Sequence, residues 1–153
     1  MAKEWKTRLS PKKYIIRKAK TLPLGKCYVN DNWKESGMAN VIVTRRHADG
    51  FLTYGVYLVD LFALGTKDCF WRIHQSKYDL AAFKEKLVGS DLIEIKYVLA
   101  HNIIYGANAF AEDHGFKLHA DFKIAEHILL EDTEDIPLIK IKFGKKGKPF
   151  VIQ

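Results

Sequence analysis

The spacing of apolar residues changes along the chain, and the changes mark the elements. Ser10-Pro11 predicts the opening of a short helix to about Lys20, because a serine hydroxyl can accept an early amide and proline suits a first turn. Within it Ile15, Ile16, Ala19 and Leu22 fall on one side, while Lys13, Arg17 and Lys20 form a basic stripe on the other. Leu22-Pro23-Leu24-Gly25 ends the helix, residues 26–29 read as a short strand, and Asn30-Asp31-Asn32 begins a loop holding Trp33. Residues 39–46 and 51–62 are rich in β-branched and aromatic side chains around the turn His47-Ala48-Asp49-Gly50, which predicts a long hairpin. Gly65-Thr66-Lys67-Asp68 leads to a further strand over 69–74.

Helical spacing then takes over. Ser76 with Asp79 predicts a cap for a helix over 77–87, and Gly89 breaks the chain. Asp91 with Glu94 predicts a second capping box for a long helix over 92–114, closed by Gly115. Its stripe of Leu92, Ile95, Leu99, Ile103, Gly106 and Phe110 is widened by Ala100, Ile104 and Ala107, so it should be central to the core. Gly106 in mid-helix costs about 1 kcal/mol against alanine and implies another backbone packed closely there. Asp121 opens a last helix over 122–130, and the acidic run 131–135 reads as a solvated connection. Alternation over 138–143, the turn 144–148 and residues 149–152 predict a second hairpin with a lysine-rich tip. The expectation is an α+β fold: about six mostly antiparallel strands in hairpins, helices between strands four and five, and a basic N-terminal helix. Residues 1–21 form the arm and 22–153 a single domain.

Composition agrees with one globular unit: 153 residues, 48% hydrophobic and 28% charged, which excludes disordered and collagen-like chains. No apolar run is long enough to cross a bilayer and no signal-type apolar stretch opens the sequence, so a cytoplasmic protein with no membrane partner is expected. Cys27 and Cys69 lack CxxC spacing and should be reduced, buried and inert.

Charge changes the picture more. Residues 1–20 carry a net +7, residues 140–148 a net +5 and residues 21–139 a net −5. Clustered cations at the ends favour polyanions, since they release condensed counterions when they neutralise phosphates. Lys12, Lys13, Arg17 and Lys20, with Lys140, Lys142, Lys145, Lys146 and Lys148, are the expected phosphate contacts. Trp5 in the arm is the ring least explained by packing and the expected base-stacking side chain, and Tyr14 stands beside the arm's lysines. If folding brings the ends together, they form one surface. The plain alternative is a solubilising, frayed N-terminus.

Candidate chemistry is sparse. Strand alternation places Asp60 on the apolar face of Leu52, Tyr54, Val56 and Leu58, so its carboxylate needs a partner: a lysine, backbone amides, a metal or water. Asp68, His119 and Asp121 are the residues that can join it in metal-dependent phosphoester chemistry, but their spacing matches no established metal motif, and no metal or cofactor is expected. Glu94, His101, Tyr105, Asn108 and Glu112 stack on one helical face, read as the exposed side of an amphipathic helix rather than a cleft lining.

Gly55-Val56-Tyr57-Leu58-Val59-Asp60-Leu61, Leu64-Gly65-Thr66-Lys67-Asp68, Ile103-Ile104-Tyr105-Gly106-Ala107 and Phe143-Gly144-Lys145-Lys146-Gly147-Lys148-Pro149-Phe150 give the chain, from about residue 22 onward, a form that resembles a group of uncharacterised bacterial single-domain proteins. The resemblance implies a bacterial cytosolic domain and carries over no functional residue. The leading expectation is a small nucleic-acid-binding accessory protein, RNA ahead of DNA, with a protein partner on the acidic body. The alternatives are a metal-dependent nuclease or phosphohydrolase using Asp60, Asp68, His119 and Asp121, and a protein-interaction module. Whether the chain is an enzyme stays open at this point.

Overall fold

Five strands build one antiparallel sheet, in a computed structural model that describes residues 5–87 and 91–151. Residues 1–4, Gly89 and residue 152, which fall within the expectations above, lie outside the described residues. The strands are β1 (Leu24–Asn30), β2 (Met38–Arg46), β3 (Leu52–Asp60), β4 (Gly65–Gln75) and β5 (Leu92–Ile95), in the spatial order β4-β3-β2-β1-β5. The predicted long hairpin is β2–β3, in continuous register from Met38↔Asp60 to Arg46↔Leu52. The helices are α1 (Pro11–Lys18), the single turn α2 (Trp33–Ser36), α3 (Lys77–Lys86), α4 (Tyr97–Asp113) and the short α5 (Phe122–Ala125).

Strand alternation divides the core between the two sheet faces. Val41, Val43, Tyr57 and Val59 join Ala100, Ile103, Ile104 and Ala107 of α4, together with Tyr14 and Ile15 of α1 and Ala19 just after it. Ile42, Tyr54 and Val56 face the other way and pack on Leu80 of α3. The predicted caps of α1 and α3 are present: Ser10 Oγ accepts from Lys13 N–H, and Ser76 and Asp79 form a reciprocal capping box. Cys27 and Cys69 are free and buried, and burial pushes their thiols up to about 11 and about 12. Among the described residues no helix is long and apolar enough to cross a membrane.

Two expected elements are replaced. Residues 92–95 form strand β5 rather than the first turn of the long helix, pairing Leu92↔Asn30 through Ile95↔Cys27 on the edge of β1. Ile93 and Ile95 are β-branched, and ladder pairing outweighs their modest helix propensity, so α4 starts at Tyr97 and no Asp91–Glu94 capping box forms. The last helix also shortens: α5 gives way to a 3₁₀ turn over Glu126–Ile128.

Among the described residues the C-terminal hairpin does not form; an isolated Lys145↔Lys148 bridge is all that remains of it, and the sheet has five strands instead of six. The segment is captured by α4 instead. Asn102 Nδ2 donates to Pro137 C=O at 2.9 Å, and Asn102 Oδ1 accepts from Ile139 N–H at 3.0 Å. Phe143 then fills the space above Gly106, where a Cβ would stand 2.5 Å from the ring, so the close neighbour of that glycine is a side chain and not a backbone. Gly144 N–H donates to Leu61 C=O and Phe150 N–H to Phe62 C=O, fixing the end of the chain beside the β3–β4 turn.

That docking separates the two basic ends. Trp5 and Tyr14 pack on His47, at the β2–β3 turn, whereas residues 144–150 bind Leu61 and Phe62 at the opposite end of β3. A nine-residue strand spans about 27 Å, well beyond a screening length of roughly 8–10 Å at physiological salt. The condition for one continuous basic surface is therefore not met: the arm lies at the β2–β3 turn, and Lys140 and Lys142 lie with Leu61 and Phe62 at the other end of β3.

Candidate functional site

At the β2–β3 pole, α1 is an ordered element seated in the core rather than a frayed tail. Tyr14, Ile15 and Ala19 are buried, while Lys6, Arg8, Lys12, Lys13, Arg17, Lys18 and Lys20 are exposed. None of these cations makes an ion pair among the described residues, and no acid lies between Lys6 and Lys20.

The aromatic side chains are placed differently from the expectation. Trp5 is half-buried, stacked on His74 with ring centroids 4.5 Å apart, and edge-on to Tyr14 and His47. Tyr14 is 7% exposed. His74 takes one face of the indole, so Trp5 anchors the arm. Histidines 47 and 74 carry no motif in the sequence; they were identifiable only as neighbours across the β2–β3–β4 ladder.

The proposed acids and His119 separate into two places. Asp60, 2% exposed, turns its Oδ1 to Phe62 N–H at 2.9 Å and Ala63 N–H at 3.3 Å, capping the β3–β4 turn with backbone amides. Asp68, His119 and Asp121 do come together. His119 Nε2 stands 3.7 Å from Asp68 Oδ1, and Nδ1 is 4.0 Å from Asp121 Oδ2. Asp121 N–H also donates to His119 Nδ1 at 3.2 Å, which leaves the neutral imidazole proton on Nε2, facing Asp68. Asp60 does not join this group, and among the described residues no three His, Cys, Asp or Glu side chains converge as a metal-ligand set.

His119 opens into a cleft of about 880 Å³ between α4 and residues 115–126. Tyr105, Asn108 and Glu112 line it, so the polar stripe of the long helix is a cleft wall over these positions, while Glu94 belongs to β5. Thr66 ties the wall together: its N–H and Oγ both donate to Asn108 Oδ1 at 2.8 Å, and its C=O accepts from His119 N–H. The approach is possible because Gly65 has φ +64° and a Cβ there would lie 2.9 Å from Asn108 Oδ1. Asn108 Nδ2 is buried without a partner among the described residues.

Farther along α4, His101 is 1% exposed and bridges two elements. Leu130 N–H donates to the Tyr97 oxygen, the Tyr97 hydroxyl meets His101 Nδ1 at 2.7 Å, and His101 Nε2 meets Asp132 Oδ1 at 3.0 Å. Burial raises the Tyr97 hydroxyl to about 12, so it stays protonated. Arg45, 4% exposed, donates to Ile128 C=O and Leu22 C=O, both at 2.7 Å, and its burial lowers the guanidinium pKa. Alternation with Val41 and Val43 already puts Arg45 on the core face of β2, a signal the charge count obscured.

At the opposite pole Lys140 and Lys142 line a groove with Trp33 and Phe62, and Lys145 lies 4.1 Å from the Phe150 ring centroid. Lys146 and Lys148 are exposed on the turn beyond it. No protein-family model, curated protein or solved structure matches this chain.

Proposed function

We propose that the protein is a nucleic-acid-binding accessory protein whose phosphate contacts are made by the α1 pole alone, with Lys12, Lys13, Arg17 and Lys20 at its centre. The observation that carries this reading is the run of exposed cations over residues 6–20, unpaired among the described residues, with Lys12, Lys13, Arg17 and Lys18 on a helix docked in the core and the others just beside it. A docked helix spends no ordering entropy when it meets a polyanion, unlike a frayed tail. RNA is favoured over duplex DNA because α1 is eight residues long and its Tyr14 and Ile15 are buried in the core, which leaves it poorly placed to project into a major groove. Contacts of this type read backbone charge and carry little base preference.

Deleting the arm would remove core side chains, so charge reversal is the cleaner test. Affinity for a labelled oligo-uridylate should fall with salt at a slope of about −0.7 per phosphate contact, near −3 for four contacts. K12E/K13E/R17E/K20E should weaken binding by at least tenfold and flatten the slope, while K145E/K146E/K148E should leave both nearly unchanged. Salt-independent binding, or an equal loss from the C-terminal variant, contradicts the reading.

A further inference from the structure

The pole opposite α1 carries a groove of about 320 Å³ with Trp33, Leu61, Phe62 and Ile141 as its apolar lining. Trp33 and Leu61 are buried, whereas Lys34, Lys140 and Lys142, which also line it, are exposed and have no acid partner among the described residues. Its complement is therefore an apolar side chain flanked by carboxylates. The same chain displays such a segment. Glu131, Glu134 and Asp135 are exposed, and Leu138, three residues after the run, is 93% exposed, well above any other large apolar side chain at this pole.

Leu138 cannot enter the groove of its own chain. It stands two residues before Lys140, on a segment pinned to α4 by Asn102 through Pro137 and Ile139, with its side chain turned to solvent. Residues 138–143 also keep a strand-like alternation while pairing with no strand. Ile139, Phe150 and Val151, each at least 40% exposed, extend the apolar patch around them.

We propose that this pole is a self-association surface, in which Leu138 of each chain docks in the groove of a second copy and the acidic run 131–135 meets Lys34, Lys140 and Lys142 across a two-fold axis. Leu138 precedes the groove residue Lys140 by two positions, so a two-fold rotation that seats Leu138 in the partner's groove does so in both directions at once and the contact closes as a dimer. The acidic run also supplies the counter-charge without which two lysine-rich ends would repel. The groove and its lysines lie at the pole opposite α1, while the start of the acidic run, Glu131 and Asp132, lines a pocket with Lys20; the proposal does not depend on the nucleic-acid reading.

The test is sedimentation velocity of the full chain over a concentration series at low and high salt. The wild type should dimerise reversibly, with a dissociation constant that rises at least tenfold as salt is raised. L138S, on an exposed position that leaves the fold intact, should weaken the dimer at unchanged melting temperature. K140E/K142E should be monomeric, because its groove and segment are both negative; E131K/E134K/D135K should be monomeric because both are positive. An equimolar mixture of the two should restore a one-to-one heterodimer, since both of its contacts are then complementary. A wild type that is monomeric throughout, or charge variants that dimerise like it, overturns the proposal. So does a mixture that stays dissociated, or a monomeric wild type whose groove takes up poly-glutamate, which would give the surface to a foreign acidic protein.

Discussion

The indole of Trp5 lies flat on the imidazole of His74, with centroids 4.5 Å apart and planes 7° from parallel. Phe51 stacks on the same imidazole at 4.3 Å, and Asp49 Oδ2 accepts from its Nε2 at 2.7 Å. His74 adopts φ +50°, a left-handed conformation that a non-glycine residue holds only when its surroundings enforce it. The ring stack thus connects the arm to the β2–β3 turn and fixes how the arm presents its charges.

Replacing Trp5 with alanine should therefore cost about 1–2 kcal/mol of stability, from lost apolar burial and ring contacts. Hydrogen exchange should speed at residues 6–9 while α1, held by Tyr14 and Ile15, stays protected. Unchanged exchange in that segment would show that the stack does not hold the arm.

The same turn should respond to pH. Burial, and then repulsion from His74, lowers the His47 pKa below its usual 6.5, so the unfolded chain binds a proton more readily than the folded one. Its contribution to stability is complete above pH 6.5 and is lost as pH falls through the lower folded value. Asp49 is also lowered, first by its hydrogen bond to His74 and then by Phe51 N–H, so its contribution holds above about pH 4 and is lost in stronger acid. The melting temperature should fall between pH 7 and pH 5 in the wild type and fall less in His47→Gln. Parallel curves for the two would contradict the assignment.

Asp60→Asn should destabilise by about 1–3 kcal/mol, because a charge-assisted acceptor of two backbone amides becomes a neutral one. Urea unfolding should give the same loss in EDTA and in magnesium. A metal-dependent gain in the wild type that the variant lacks would return Asp60 to a ligand role.

Gly106 and Phe143 form a separable pair. Alanine at 106 gains about 1 kcal/mol of helix propensity but meets the Phe143 ring, so Gly106→Ala should be destabilising in the wild type. With Phe143→Ala already in place, the same change should stabilise. A substitution effect of the same sign in both backgrounds would mean that the ring is not the obstacle.

The periodic pattern of the sequence was enough for the β2–β3 hairpin, the caps of α1 and α3 and the central apolar face of α4, because alternation, turn residues and capping side chains act within a few positions of one another. The same local logic required a partner for Asp60 and named backbone amides among the choices. It could not place Leu92–Ile95 on the edge of β1, since that pairing joins residues more than 60 positions apart and overrides helical spacing. Nor could it see that Asn102 and Gly106 would draw the C-terminal segment onto α4 in place of a hairpin. Charge counts located the two basic ends but not their separation, which the length of β3 sets. Asp68, His119 and Asp121 became neighbours through Thr66 and Gly65, and Trp5 was drawn half out of solvent by its stack on His74. Contacts of this kind depend on the packing of distant elements, whose geometry no short-range pattern encodes.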